Sequence, residues 1–261
     1  MRSVPADPGG TQEVSSPRQR NAGDALAAPG GSRGVSPRQR YAGDAPAAPG
    51  RDCPRCARLV DYRRANRAAH SGWHNAPVSA FAPDGAGGGA DVALLIVGLA
   101  PGLRGANRTG RPFTGDVAGD LLFATLLAFG LAEGTYAARA DDGLRLVGCR
   151  ITNAVRCVPP KNRPTGPEVA ACRPFLAGEM GALRRLKVVL ALGVLAHGAV
   201  VAALGEKKSA WPFRHGAVHR FGCGLMLADS YHCSRYNTNT GRLTEAMFHA
   251  VFERIAPMLG A

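Results

Sequence analysis

Two groups of residues in this chain have types and spacings suited to chemistry. The first is Gly98-Leu99-Ala100-Pro101-Gly102, followed by Asn107-Arg108-Thr109-Gly110-Arg111-Pro112-Phe113-Thr114-Gly115-Asp116. It sets one aromatic ring, one carboxylate and two arginines among glycines that expose backbone. That is equipment for a flat, polar, phosphate-linked ligand. The second is the C-x2-C pair Cys53-Pro54-Arg55-Cys56, together with Cys157 and Cys172, which have fourteen residues between them. Pro159, Pro160 and Pro164 stiffen the intervening loop. Four thiolates gathered in this way suit Zn(II) or an iron–sulfur cluster, and spacing alone does not choose between them. Cys149 and Cys223 fall in apolar, strand-like runs and read as packing residues.

Two further segments carry polar chemistry. Asn153, in Ile151-Thr152-Asn153-Ala154-Val155-Arg156-Cys157, ends a predicted strand. Its amide can donate and accept at once, which suits reading one edge of a base. The run from Tyr231 to Gly241 concentrates His232, Ser234, Arg235, Tyr236 and Asn237 in one predicted loop. That is more polar density than a connector requires.

The elements that position these residues alternate along the chain. Apolar runs predict strands at 92–98, 146–153, 188–192 and 225–228, and helical periodicity predicts helices at 117–130, 167–186, 194–204 and 242–259. Such alternation predicts an α/β domain, a three-layer α/β/α sandwich around a largely parallel central sheet. The first loop directly follows an apolar strand, so it lies at the carboxyl end of the sheet, where open α/β folds bind ligands. Residues 51–261 form the expected domain. Residues 1–50 read as a disordered Pro/Gly/Ala-rich tail, in which Ser16–Ala25 recurs as Ser36–Ala45 with one substitution. A Gly-rich linker is expected at 82–90.

The formal charge of +13 makes a polyanion the first partner to consider. The tail through Asp52 holds seven arginines against five acids, so the remainder carries 25 − 14 = +11 and is the basic part. Arginine supplies nearly all of this charge, as a GC-rich genome alone would also produce; only four lysines occur. Seven cysteines without a visible signal peptide argue for metal or redox chemistry over a disulfide framework. No apolar run approaches the ~20 residues of a membrane span. A cytoplasmic protein without membrane partners is expected.

In this order, the Gly98–Asp116 loop, the Asn153 segment, the four cysteines and the His232–Gly241 loop resemble the type-5 uracil-DNA glycosylases over roughly residues 53–259. Leu99 stands where the type-4 class carries glutamate in G-E-A-P-G. Cys233 departs from the proline of the H-P-S loop found in many relatives. The resemblance implies a structural 4Fe–4S cluster on Cys53, Cys56, Cys157 and Cys172. It implies an enzyme that excises deaminated bases from double-stranded DNA, uracil first and hypoxanthine among others; a nucleoid-associated monomer is the default expectation for an enzyme that must wrap one duplex. On that reading Phe113 stacks on the flipped base, Asn153 reads its edge, and Gly98, Leu99 and Ala100 complete the base site. His232 stabilises the departing base, and Asp116 stabilises the cationic sugar and orients water. Arg108, Arg111, Ser234, Arg235 and Tyr236 contact DNA. A uracil-only, type-4-like enzyme and a non-catalytic Fe–S or Zn nucleic-acid-binding redox module are the alternatives.

Overall fold

The computed structural model describes residues 48–84 and 91–260. The expected tail through residue 47 and most of the expected Gly-rich linker lie outside the described residues.

Chain order runs α1 (Ala57–Ala69), β1 (Leu94–Gly98), α2 (Ala106–Thr109), α3 (Val117–Ala128), β2 (Ala132–Glu133), β3 (Arg145–Leu146) and β4 (Cys149–Asn153). It continues through α4 (Gly166–Ala182), β5 (Val188–Leu192), α5 (Val194–Ala203), β6 (Val218–Arg220), β7 (Met226–Ser230), α6 (Arg235–Asn239) and α7 (Glu245–Gly260). The central sheet has the order β4-β1-β5-β7-β6, parallel except for the β6–β7 pair. Strands β1 and β5 are buried along their whole length, as continuous apolar runs in a doubly covered sheet must be. Alternate residues face opposite layers. Leu94 and Ile96 pack with α3 and α7 through Leu122, Phe123, Phe248 and Phe252. Leu95 and Val97 pack with α4 and α5 through Leu176, Met180, Ala196 and Val200. The α/β/α sandwich expected from the alternating pattern is therefore the fold.

Helix α4 starts where local chemistry dictates. Thr165 and Glu168 form a capping box, and a proline sits in the first turn. Helices α1, α2 and α6, the edge strand β6 and the β2–β3 hairpin were not expected. Helix α1 buries only Leu59, Arg63 and Asn66, so it carries no apolar stripe for periodicity to detect. The antiparallel edge strand β6 and the β2–β3 hairpin are only two or three residues long on each side. Helix α6 occupies part of the expected His232–Gly241 loop. Cys223 corrects a further expectation, because it lies exposed in the turn between β6 and β7 and packs in no strand.

Arg111 requires the most consequential correction. It was expected on phosphates, yet it is 5% exposed and its two terminal nitrogens reach both oxygens of Asp142 at 2.8 and 2.7 Å. Its Nε donates to Thr114 Oγ1 at 2.7 Å. The guanidinium lies 4.9, 5.5 and 5.9 Å from the ring centroids of Phe81, Phe123 and Tyr136. Burial opposes ionisation of Asp142. Hydrogen bonds from Arg111 and from the Ala137 and Leu144 N–H groups outweigh it and hold the carboxyl well below the usual range. A fork-to-fork pair buried in an aromatic box is a structural fastener, and its burial keeps the guanidinium from DNA. Arg111→Ala strands a buried carboxylate and is expected to cost about 3–5 kcal/mol in denaturant unfolding. Arg108→Ala, at an exposed position, is expected to stay within about 0.5 kcal/mol of the parent.

Candidate active site

Parallel register sets the depth of the site. Gly98 at the end of β1 pairs with Asn153 at the end of β4, and Leu192 of β5 pairs with Ser230 of β7. The loops that follow therefore leave the sheet at one level and surround a cavity of about 810 Å³. Phe113, Asp116, Asn153 and His232 all line it, together with Leu99, Ala100, Ser234 and Arg235. Gly98 sits beneath them. A Cβ there would collide with Asn153 Oδ1 and lie 2.6 Å from Phe113 Cζ, so only glycine lets the ring and the amide meet over the strand end.

Phe113 is held in the left-handed region, with φ +55°. That conformation is unfavourable for a bulky residue and persists where surroundings over-determine it. They do so here. The Phe113 carbonyl accepts from the Tyr136 hydroxyl at 3.4 Å, and the flanking Arg111 and Thr114 are locked as described. The ring stacks loosely against His232, with centroids 5.8 Å apart and planes 27° apart.

His232 follows β7 in a loop fixed from two sides. Asn237 Nδ2 donates to the His232 carbonyl at 2.8 Å, and Gly193, with φ +98°, allows the His232 Cβ to approach the start of α5. Burial pushes the imidazole down to about 4, so the ring is neutral at pH 7. Ser234 caps α6, its Oγ accepting from Asn237 N at 3.4 Å. Arg235 and Tyr236 project from α6 into solvent, Tyr236 with 71% of its surface exposed. Arg108 is exposed beyond the cavity and donates from Nε to the Arg104 carbonyl at 2.8 Å.

Asp116 sits at the N-cap position of α3, and its Oδ1 is buried without a hydrogen-bond partner. Burial raises its pKa above the ordinary 3.8. Gly102 and Gly105 make room for the carboxylate: a Cβ at Gly102 would lie 2.9 Å from Oδ2, and one at Gly105 would collide with it.

Sequence reasoning passed over several wall residues, among them Arg104, Ala138 and Asn162. Ala138 and Asn162 both have positive φ, which for Asn162 a turn asparagine between prolines hints at. It also passed over a buried polar cluster in the strand that leads to His232. Asp229 in β7, fully buried, accepts from His197 Nδ1 at 2.7 Å and from His219 Nε2 at 3.0 Å, while His197 Nε2 faces the Trp211 carbonyl at 2.7 Å. An acid inside the apolar run Met226–Ser230 was the available signal.

The four cysteines of the second group are free thiols that converge between α1 and the start of α4. Cys56, Cys157 and Cys172 share a small cluster with Leu59, Val155 and Phe175, and Cys53 is close enough to disfavour ionisation of all three. Burial pushes the Cys157 thiol up to about 12. Arg63, 4% exposed, donates from Nη1 to Cys157 Sγ at 3.6 Å and from Nη2 to the Cys53 carbonyl at 3.1 Å. Its Nε is buried with no partner, and no carboxylate pairs with it among the described residues. A buried cation beside neutral thiols is costly; beside thiolates bound to a metal group it is compensated. The four cysteines beside one buried guanidinium fit a thiolate-ligated metal group.

Residues 86–256 match the family model described as the uracil DNA glycosylase superfamily. The chain is 43% identical over 208 residues to a type-5 uracil-DNA glycosylase of Thermus thermophilus, covering 80% of this chain and 94% of that protein. Against a type-5 uracil-DNA glycosylase of Pyrobaculum aerophilum it is 40% identical over 213 residues, 80% and 90% of the two chains. A Mycobacterium tuberculosis protein of the same name is 38% identical over 216 residues, 80% and 78% of the two chains. With cavity, loops and relatives in agreement, the chain belongs to the uracil-DNA glycosylase superfamily, hydrolases that cut the bond between base and sugar.

Proposed function

We propose that this protein acts as a monomeric type-5 glycosylase that removes uracil, and also hypoxanthine and other deaminated bases, from double-stranded DNA. The observation that carries the reading is the convergence of Phe113, Asn153, His232 and Asp116 on one cavity at the carboxyl edge of the sheet. At about 810 Å³ that cavity lies in the range of small-molecule sites, and small side chains at Ala100, Gly102 and Ala118 leave room for a two-ring base. Leu99, which replaces an acid by comparison with the type-4 loop, adds no charge that would favour one base edge.

A base stacked in a duplex must first be flipped out, at a cost of a few kcal/mol that is least for a mispaired base. The face of Phe113 accepts the flipped ring, and the Asn153 amide reads its polar edge. As the C1′–N bond breaks, its electron pair leaves with the base. The neutral His232 imidazole donates one N–H to the pyrimidine O2, where that charge collects. Stabilisation of developing charge in a water-poor site is the largest expected contribution to rate. Water oxygen joins C1′ on the other face, and the ionised Asp116 carboxylate stabilises the cationic sugar and accepts the water proton. Its unpartnered Oδ1 supports that assignment. Arg108, Arg235 and Tyr236 supply the DNA contacts, and Ser234 retains its hydroxyl proton for a phosphate.

Cys53, Cys56, Cys157 and Cys172 would hold a 4Fe–4S cluster, which when bound supplies a cross-link between α1 and the body of the fold and no electron to the reaction. The support is the buried, uncompensated Arg63 guanidinium and the gathering of the cysteines around it.

Single-turnover incubation with duplexes carrying one U·G, U·A or hypoxanthine·T pair tests the activity. Abasic sites are expected in all three; cleavage confined to uracil would leave a type-4-like enzyme, and none would remove the glycosylase reading. Asp116→Asn is expected to slow excision about 10²–10⁴-fold with little change in DNA binding. His232→Ala is expected to slow it about 10²–10³-fold, and a change in binding alone would sink its leaving-group role. Because His232 stays neutral down to about pH 4, the rate should show no inflection near the ordinary histidine value of 6.5. Its acid limb should instead report Asp116, which must ionise and does so above 3.8. A step near 6.5 that His232→Ala abolishes would refute the neutral-imidazole assignment. Metal analysis of the native protein is expected to give about four irons per chain with acid-labile sulfide, lost in Cys157→Ser; stoichiometric zinc would overturn the cluster.

A further inference from the structure

Beyond Gly115 the active-site cavity continues into a second depression of about 450 Å³, walled by His70, Trp73, Leu103, Arg104, Arg108 and Gly115. Arg104 and Gly115 line both cavities, so the two are neighbours along one loop. The second is built around a flat aromatic pair. The rings of His70 and Trp73 stack with centroids 3.9 Å apart and planes 13° apart, and both residues are partly exposed.

The turn that carries this pair is fastened to the active-site loop. His74 N and Asn75 N donate to the Arg108 and Asn107 carbonyls, each at 3.1 Å. Asn107 Nδ2 donates to Asn75 Oδ1 at 3.0 Å, and Asn75 Nδ2 donates to the His70 carbonyl at 2.6 Å. Trp73 is thus held in fixed relation to the segment bearing Phe113 and Asp116. Arg104 and Arg108 stand exposed beside it, and neither pairs with an acid among the described residues. Rigid aromatic faces flanked by exposed guanidiniums without acid partners are what proteins use to hold unpaired nucleotides. The ring takes a base of any sequence and the cations take its phosphate. A tryptophan placed only to fill the core would be enclosed, as Trp211 is at 6% exposure.

We propose that this depression is a second nucleotide subsite. It stacks an unpaired base of the strand that bears the target on Trp73, with the adjoining phosphate between Arg104 and Arg108. The inference rests on the DNA-binding part of the proposed function and extends it to single-stranded and locally melted DNA. Uracil excision from a single strand is then expected to depend on Trp73 more than excision from a duplex does.

Trp73 and the enclosed Trp211 are the only tryptophans in the chain, so intrinsic fluorescence reads the site directly. Titration of the full-length protein with a short undamaged single strand is expected to quench emission. Trp73→Ala should weaken that binding about tenfold or more, the scale of one lost base–aromatic stack. Trp73→Phe should lose the quench yet bind within about threefold of the parent, which separates ring loss from misfolding. For uracil excision from a single strand, KM of Trp73→Ala should rise more than kcat falls. Binding without quenching, or a single-strand affinity untouched in Trp73→Ala, overturns the subsite while leaving the glycosylase reading intact. An equal loss on perfectly paired duplex overturns the preference for an unpaired base. Failure of the parent protein to bind DNA at all overturns both readings together.

Discussion

Parallel pairing of β4, β1, β5 and β7 is the constraint on which the site depends. A parallel ladder sends every strand out at the same edge, and its register decides which loop residues share a level. Here it places Gly98 beside Asn153 and Leu192 beside Ser230, so the Asn153 amide and the strand leading to His232 leave the sheet at the same edge, with β1 and β5 between them. A shift of β4 by one residue would turn Asn153 to the opposite face and bring Ala154 beside Gly98. The inner strands are buried on both faces by α3 and α7 on one side and α4 and α5 on the other, which makes such a shift costly. The rigid sheet therefore positions loops that have few apolar contacts of their own.

Those loops are held by polar and strained contacts, each with a local counterweight. Phe113 adopts a conformation that L-residues avoid, offset by the Arg111–Asp142 pair and the Tyr136 hydroxyl on either side. The same pair ties the Phe113 loop to the segment after β2, and so holds Ala138 in the cavity wall. In the strand that leads to His232, Asp229 joins β7 to α5 through His197 and to β6 through His219, all three shielded from solvent. Buried charge arranged in this way contributes little net stability and a great deal of geometric definition. In the cavity, by contrast, Oδ1 of Asp116 is buried with no hydrogen-bond partner.

What was legible in the sequence follows from the same division. Continuous apolar runs marked β1 and β5 to within two residues, because strands buried on both faces need nothing else. The Gly/Pro-rich loop announced itself through residue types whose backbone demands are specific, and Phe113, Asp116, Asn153 and His232 meet where strand order places them. Arg111 was misjudged because a guanidinium reads alike whether it faces phosphate or Asp142, 31 residues away. No local pattern reports that distance. Helix α1 was missed for the converse reason. Its buried face is Leu59, Arg63 and Asn66, a stripe with the right spacing and the wrong polarity.

That polar stripe links the four cysteines to the turn bearing His70 and Trp73. Burying Leu59 contributes about 1.5–3 kcal/mol, too little to order a helix of 13 residues. The remaining attachments are polar. Arg58 pairs with Glu168 of α4, Arg67 pairs with Asp52 and donates to the Asn75 carbonyl, and Arg63 donates to Cys157 Sγ and the Cys53 carbonyl. The Arg67–Asp52 pair is open to solvent and so weak, whereas Arg58 grips the buried Glu168 carboxylate with two nitrogens. The sulfur-centred contacts are also buried, and they lie at the end of α1 opposite His70 and Trp73. A group bridging Cys53 and Cys56 to Cys157 and Cys172 would close the loop between residues 56 and 157 and remove much of the entropy of the unattached helix. The structural cluster would thereby keep α1, and with it the turn bearing the aromatic pair, in register with the active-site loop.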